Sequence, residues 1–456
     1  MSRTTAPGRA LAWARRKRSA FTAASRTVWP CRSKVASAER SVQLRMAEVC
    51  GGLAVPVQIG STYVHFSHAV GHHSKRIGSR STHWARLASP LLTWLTLVLS
   101  ACNYSGDPIR IGLAGSLSDP VGLPMKRAAE LAVEQINAEG GIKGRQLELV
   151  ERDDYADPDS AVFVATDLYE SGVSAVIGHL FSSTTLAAAP VYNGGSAPVA
   201  AISPSSSSPD VTTAGDYTFR ICPSDLAHGL ALARWVRDTL RLERGAMLYL
   251  NDQYGRGVRQ MFVREFTRRG GTLLAVDPYL GDTPDVAAYL DRLAKIGGVD
   301  FLVVAGNKGE GEEILRQARQ RGLRMPVLGG DGLEGIEEAG AIADGVYLSS
   351  AYLPTIASPA NRAFLQAYRK KFPTAGLPNQ PAAATYDAVY LLRRVIAKAG
   401  PEREAVRREL AQVGTGAPAF QGVTGTVAFD ARGDVPNQAV YIGVVRDGAV
   451  RLAGNQ

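Results

Sequence analysis

The chain has 456 residues, 45% hydrophobic and 20% charged, with a formal net charge of +9. That composition is globular and excludes wholesale disorder, a collagen repeat and a disulfide scaffold. The positive charge sits at one end: residues 1–90 hold 15 Lys/Arg and 2 Asp/Glu, whereas residues 102–456 hold 36 and 40, so no nucleic-acid groove is indicated in the body.

Residues 1–86 show no sustained period of 2 or 3.6. They read as a disordered leader, as an organelle transit segment, or as sequence upstream of a true start at Met46 or near Val70. Arg86 then precedes the uncharged run LASPLLTWLTLVL, which suits the apolar core of a signal peptide within residues 87–101. The run ends in Leu99-Ser100-Ala101-Cys102, which looks like a bacterial lipobox. In such signals the Cys is acylated and becomes the first residue of the mature protein. Cys31 and Cys50 fall in the leader, and Cys222 is left without a partner, so no disulfide is expected.

From Ile109 the chain alternates strand and helix. Strand Ile109–Gly115 precedes helix Met125–Ala138, whose apolar residues share one side and which Gly140-Gly141 stops. Strand Gln146–Glu151 precedes a helix from Asp159 to about Glu170. Strand Ser174–Ile177 leads to a helix through Tyr192, and strand Pro198–Ile202 ends in Ser205-Ser206-Ser207-Ser208. The pattern pauses over Phe219–Asp225 and restarts with helix Asp225–Leu240 and strand Arg244–Leu250. Helix Gly257–Arg269, strand Thr272–Val276, helix Val286–Ile296, strand Phe301–Ala305, helix Gly311–Arg321 and strands Pro326–Leu328 and Val346–Ser350 follow. Helices Pro359–Phe372, Gln380–Ala399 and Glu402–Val413 precede a β tail, Thr426–Phe429 and Ala439–Val445. Repeats of this kind make parallel sheets covered by helices. One continuous sheet of some ten strands is possible; two α/β lobes fit the pause better.

In open α/β sheets, ligands bind beyond the carboxyl ends of the strands. The first half offers hydroxyls and helix amides there, which suit an anion such as a carboxylate. The second half offers Tyr254 and Asp331, which suit an ammonium group. A cleft with these two walls reads as a site for an α-amino acid. The bland alternatives are a flexible Ser turn, an Asx turn at Asp331 and a core aromatic at Tyr254. No phosphate-binding loop, GxSxG, HExxH or CxxC motif occurs, so no enzyme activity and no cofactor are expected. His179 and His228 are the only body histidines, too scattered for a metal site. His179 beside Ser182 is expected to be a packed or hydrogen-bonded His rather than a catalytic base.

The stretches AAELAVEQINAEGGIKGRQLELVERDDYADP (128–158), AVIGHLFSS (175–183), AAISPSSSSPDVTTAGDYTFR (200–220), LNDQYGRG (250–257), FLVVAGNKGE (301–310) and ILRQARQRGLRMPVLGGDGL (314–333) carry a resemblance. The chain resembles the type I periplasmic binding proteins of ABC importers, in the branched-chain amino-acid-binding subfamily, over about 107–450. The resemblance implies two Rossmann-like lobes with helix-covered parallel sheets, joined by a three-crossover hinge. The lobes expected are 107–224 plus about 352–418 and 225–351 plus about 419–456. Matched by motif, Ser182 and Ser207 bind the ligand carboxylate, Ser205 and Ser206 line the site through their backbone, Tyr254 packs over the ligand and Asp331 meets the ammonium. Phe181 and Asn307 would face the side chain. The first loop, Ser116–Pro124, lacks an aromatic and Asn307 stands where Tyr is common, which weakens a Leu/Ile/Val assignment. Lys308 is expected to be a solvated loop residue.

The implied function is an exported solute-binding lipoprotein, monomeric and held to the bacterial membrane through Cys102, that delivers an amino acid to ABC permease subunits. The alternative is a ligand sensor using the same clamp on a regulatory partner.

Overall fold

The computed structural model describes residues 106–281 and 285–454. The leader, the signal run and Cys102 lie outside these residues. Strand β1 (Ile109–Gly115) buries every residue except Arg110, as a strand covered on both faces must. It pairs in parallel with β2 (Leu147–Asp153) and β3 (Val176–Ile177), and β4 (Ala201–Ser203) and β5 (Thr218–Arg220) complete a five-stranded sheet in the order β2-β1-β3-β4-β5. β5 falls at the edge of the expected pause; three residues are too few to display a period, and only the partner strand reveals them. Helices α1 (Leu123–Ala138), α2 (Pro158–Glu170) and α3 (Ser182–Asn193) cover this sheet. Ile111, Leu113 and Ile177 are fully buried within it, each such side chain contributing roughly 1.5–3 kcal/mol.

The second lobe begins with α4 (Asp225–Arg234), which passes into a π-type turn over Trp235–Thr239 instead of continuing as one α-helix. β6 (Arg244–Leu250), α5 (Gln253–Arg268), β7 (Thr272–Tyr279), α6 (Ala287–Ile296), β8 (Phe301–Ala305), α7 (Lys308–Gln320), β9 (Val327–Gly329) and β10 (Tyr347–Ser350) follow. Two helix starts differ from expectation in a way that matters to the site. α5 begins four residues early because the Asp252 side chain accepts the Gly255 N–H at 2.8 Å and caps it. α7 begins three residues early, at Lys308. Gly255 and Gly309 read as loop but lie in first helical turns.

The chain then returns to the first lobe as α8 (Pro359–Lys371), α9 (Gln380–Ala399), α10 (Arg403–Leu410) and the hairpin β11 (Phe420–Gly422) and β12 (Gly425–Val427). Small residues on α9, Ala384 and Ala388, share a buried cluster with Ala129 and Ala132 of α1, and their size lets the two backbones approach. The crossing expected at 418/419 moves to about 438. Val427, Phe429 and Val435 pack in the β1 core, Phe429 sets its ring 5.1 Å from Phe219, and Asp387 on α9 accepts from Val423 N, Thr424 N and Thr424 Oγ1 at 2.7–2.8 Å. β13 (Tyr441–Arg446) and the unanticipated β14 (Ala449–Leu452) finish the second sheet as antiparallel strands, with β14 at the edge, in the order β14-β13-β10-β9-β8-β6-β7. The chain thus passes between the sheets three times, after β5, after β10 and before β13. All described residues fall in one unit, Leu92–Gln456. Among them no helix is long and apolar enough to cross a membrane.

Candidate ligand-binding cleft

A cavity of about 760 Å³ opens between the lobes, where the carboxyl ends of both sheets meet. Its size suits a small organic ligand. Phe181, Ser182, Ser183, Ser205 and Ser207 line it from the first lobe, and Leu250, Asp252, Tyr254, Asn307 and Asp331 from the second.

The first wall is built by a helix start and a serine run. α3 begins at Ser182, and no side chain caps its amides, so its N-terminus is open toward the cavity. Ser182 Oγ accepts the Ser208 N–H at 3.1 Å, which leaves its hydroxyl hydrogen to donate. The serine run alternates between the cavity and the interior. Ser205 and Ser207 line the cleft, whereas Ser206 is fully buried with Oγ 2.6 Å from Thr185 Oγ1, so Ser206 lies behind the wall rather than on it. Ser208 is also buried and caps the short turn Pro209–Thr213.

Arg220 holds this run in place. Its guanidinium is buried and donates to Ser207 O at 3.1 Å, Ser208 O at 2.7 Å and Thr212 Oγ1 at 2.8 Å. Asp434, 2.7 Å from Arg220 Nε, supplies the counter-charge. Sequence reasoning missed this pair because 214 residues separate its members.

The second wall is acidic. Tyr254 is almost buried, and its hydroxyl accepts the Gly332 N–H at 2.8 Å. A side chain at Gly330 or Gly332 would strike the Tyr254 phenol within 3 Å, which explains two of the glycines around Asp331. Tyr254 therefore positions the Asp331 loop as well as lining the cleft. Asp331 Oδ2 lies 3.5 Å from His228 Nε2, and Asp331 Oδ1 has no hydrogen-bond partner among the described residues. Behind them Asp225 is fully buried. Burial pushes its carboxyl well above the usual range, the Asp331 charge adds to this, and the Ser207 hydroxyl and Arg220 offset part of it. Burial also holds the His228 imidazole below its ordinary value. Asp225 and His228 were not anticipated; the only signal was their position just after the first crossing.

Three further expectations meet the geometry. His179 is buried with Nδ1 2.6 Å from Asp154 Oδ2 and Nε2 3.0 Å from Tyr192 OH, and makes no pair with Ser182. Lys308 is not a free loop residue: it lies on α7, largely covered, and is paired with Glu338 and Glu312. Cys222 is buried and unpaired, its thiol pushed up by burial. No group of three or more His, Cys, Asp or Glu among the described residues is placed to hold a metal ion.

Hydroxyl and amide donors on one wall and the Asp331 carboxylate on the other, within a two-lobed frame crossed three times, define a solute-binding architecture. A family profile described as periplasmic binding protein matches residues 108–449. The leucine-, isoleucine-, valine-, threonine- and alanine-binding protein of Pseudomonas aeruginosa is 34% identical over 349 residues, 74% of this chain and 89% of its own length. The leucine-specific-binding protein of Salmonella typhimurium is 30% identical over 63% of this chain and 80% of its length. Among solved structures, the branched-chain amino acid transporter substrate-binding protein LivJ of Streptococcus pneumoniae, in complex with isoleucine, superposes with a TM-score of 0.68 at 31% identity, covering 75% of this chain and 97% of that one. The chain belongs to the type I periplasmic binding proteins, in the branched-chain amino-acid subfamily. These relatives are solute-binding proteins of transporters and not enzymes.

Proposed function

We propose that the protein is a lipid-anchored solute-binding protein that closes its two lobes on an α-amino acid and delivers it to the permease of an ABC importer. The observation that carries this reading is the pairing of chemistries across one cavity: Ser182, Ser207 and the α3 amides face Asp331 and Tyr254. A zwitterion removed from water needs a partner for each charge, because an unpaired buried charge is costly. In the proposed pose Ser182, Ser207 and the helix amides donate to the carboxylate, and the ammonium donates to Asp331 Oδ1. Ser205 supplies backbone contact, and Phe181 and Asn307 flank the side chain. The isoleucine and leucine seen in related structures support an amino acid as the ligand class. The signal run and LSAC sequence support export and acylation at Cys102.

A thermal-shift screen against single amino acids tests the reading. A ligand at 100 times its dissociation constant adds about 2.7 kcal/mol of stability, a readily seen shift. No shift with any amino acid would overturn it.

A further inference from the structure

Glu334 stands three residues after Asp331 on the same loop and also lines the cavity, yet the zwitterion pairing leaves it without a role. Its carboxylate is fixed from both lobes. Ser350 Oγ, at the end of β10, donates to Oε1, and the backbone N–H of Gln380, the first residue of α9, donates to Oε2 at 2.9 Å. A carboxylate oxygen accepts about two hydrogen bonds, so acceptor capacity remains on a group whose direction is already set. Burial pushes this carboxyl up to about 8, with Asp331 and Glu337 adding to the effect. Charged or neutral, a carboxyl facing a closed, dry cleft is destabilising unless its remaining polar positions are met. A branched aliphatic side chain offers them nothing.

The surroundings point the same way. Asn307 adds an amide from the second lobe beside apolar Val121, Phe181 and Pro381 from the first, and no aromatic occurs in the first loop, Ser116–Pro124. Lys308 is the one basic side chain on the wall among the described residues, and its pairing with Glu338 and Glu312 leaves it poorly placed to recruit an acidic ligand. We propose that Glu334 is a second ligand-reading group, selecting an α-amino acid whose side chain carries an N–H or O–H donor over a branched aliphatic one. This rests on the α-amino-acid clamp proposed above.

The test is calorimetry on the full chain with leucine, isoleucine, threonine, glutamine and arginine. A donor-bearing ligand should bind tightest. Glu334→Met should weaken that ligand roughly ten- to a hundredfold, the range for leaving a buried donor without its partner, while leaving leucine within about twofold. Glu334→Gln, which keeps an acceptor, should retain more of the preference than Glu334→Met. Leucine or isoleucine ranking first in the parent would overturn the proposal without need of any variant. So would equal weakening of every ligand by Glu334→Met, the mark of a purely structural tie between lobes. The clamp fails separately: if Asp331→Asn leaves every affinity unchanged, or no amino acid binds the parent, the clamp itself is wrong. Leucine ranking first with Asp331→Asn inactive rejects only the role given to Glu334.

Discussion

His228 Nε2 lies 3.5 Å from Asp331 Oδ2, with the imidazole fully buried and its other nitrogen 3.0 Å from Ser349 Oγ. Burial is the main cause of the lowered imidazole pKa; Arg220 reinforces it and Asp331 opposes it. At neutral pH the ring is therefore uncharged, and Asp331 is left to face an ammonium ligand. Protonating His228 would give Asp331 a cation already in place and would set a second positive charge beside the ligand. Through His228, affinity should fall as pH drops below the ordinary His value of about 6.5. His228→Gln should bind comparably at neutral pH and lose the acid-side fall. Calorimetry across pH checks this; identical pH profiles for parent and variant would refute the assignment.

The serine run separates contact from scaffolding. Ser182→Ala and Ser207→Ala each delete a hydroxyl from the cavity wall and should cost about 1.5–3 kcal/mol of binding, the range for a hydrogen bond to a charged group. Ser208→Ala leaves the backbone N–H that reaches Ser182 intact and removes only a turn cap. It should bind almost as the parent does and lose about 1 kcal/mol of stability. Titration calorimetry with urea denaturation separates the two effects, and a Ser208→Ala binding loss equal to that of Ser207→Ala would contradict the alternation.

Arg220→Met should be the most damaging single change near the site. It removes the counter-charge of partly buried Asp434 and one of the hydrogen bonds that each of the Ser207 and Ser208 carbonyls accepts. Breaking a buried pair from one side costs about 3–5 kcal/mol. Urea denaturation should show that loss, and a variant as stable as the parent would mean the serine run is held by other contacts.

Much of this was legible in the chain. The strand–helix alternation placed Ser182, Ser207, Tyr254 and Asp331 at strand ends, and the fold brings all four to one cavity. What stayed hidden was set by partners distant in sequence. β5 shows itself only beside β4, and Arg220 is explained only by Asp434. Glu334 gains its place from Gln380 and Ser350, which no local pattern links to it. The serine run could be read as a binding loop, but its in–out alternation depends on Thr185 claiming Ser206.

Acylation at Cys102 has its own test. Expressed in a bacterial host, the protein should fractionate with membranes and carry Cys102 as its first residue, since two or more acyl chains anchor stably. Cys102→Ala should leave the precursor unprocessed. Mass spectrometry finding an unmodified Cys102 in a soluble mature protein would exclude the anchor.

The amino-acid clamp stands or falls on Asp331. Asp331→Asn keeps the shape of the side chain and removes its charge. Truncating one partner of a buried charged pair costs about 2–5 kcal/mol, so affinity for the best amino acid from the thermal screen should fall on the order of 30-fold or more. Calorimetry of this variant beside the parent, with circular dichroism to confirm folding, is the direct measurement. A folded Asp331→Asn protein that binds as tightly as the parent would contradict the clamp and point to a ligand without an amine.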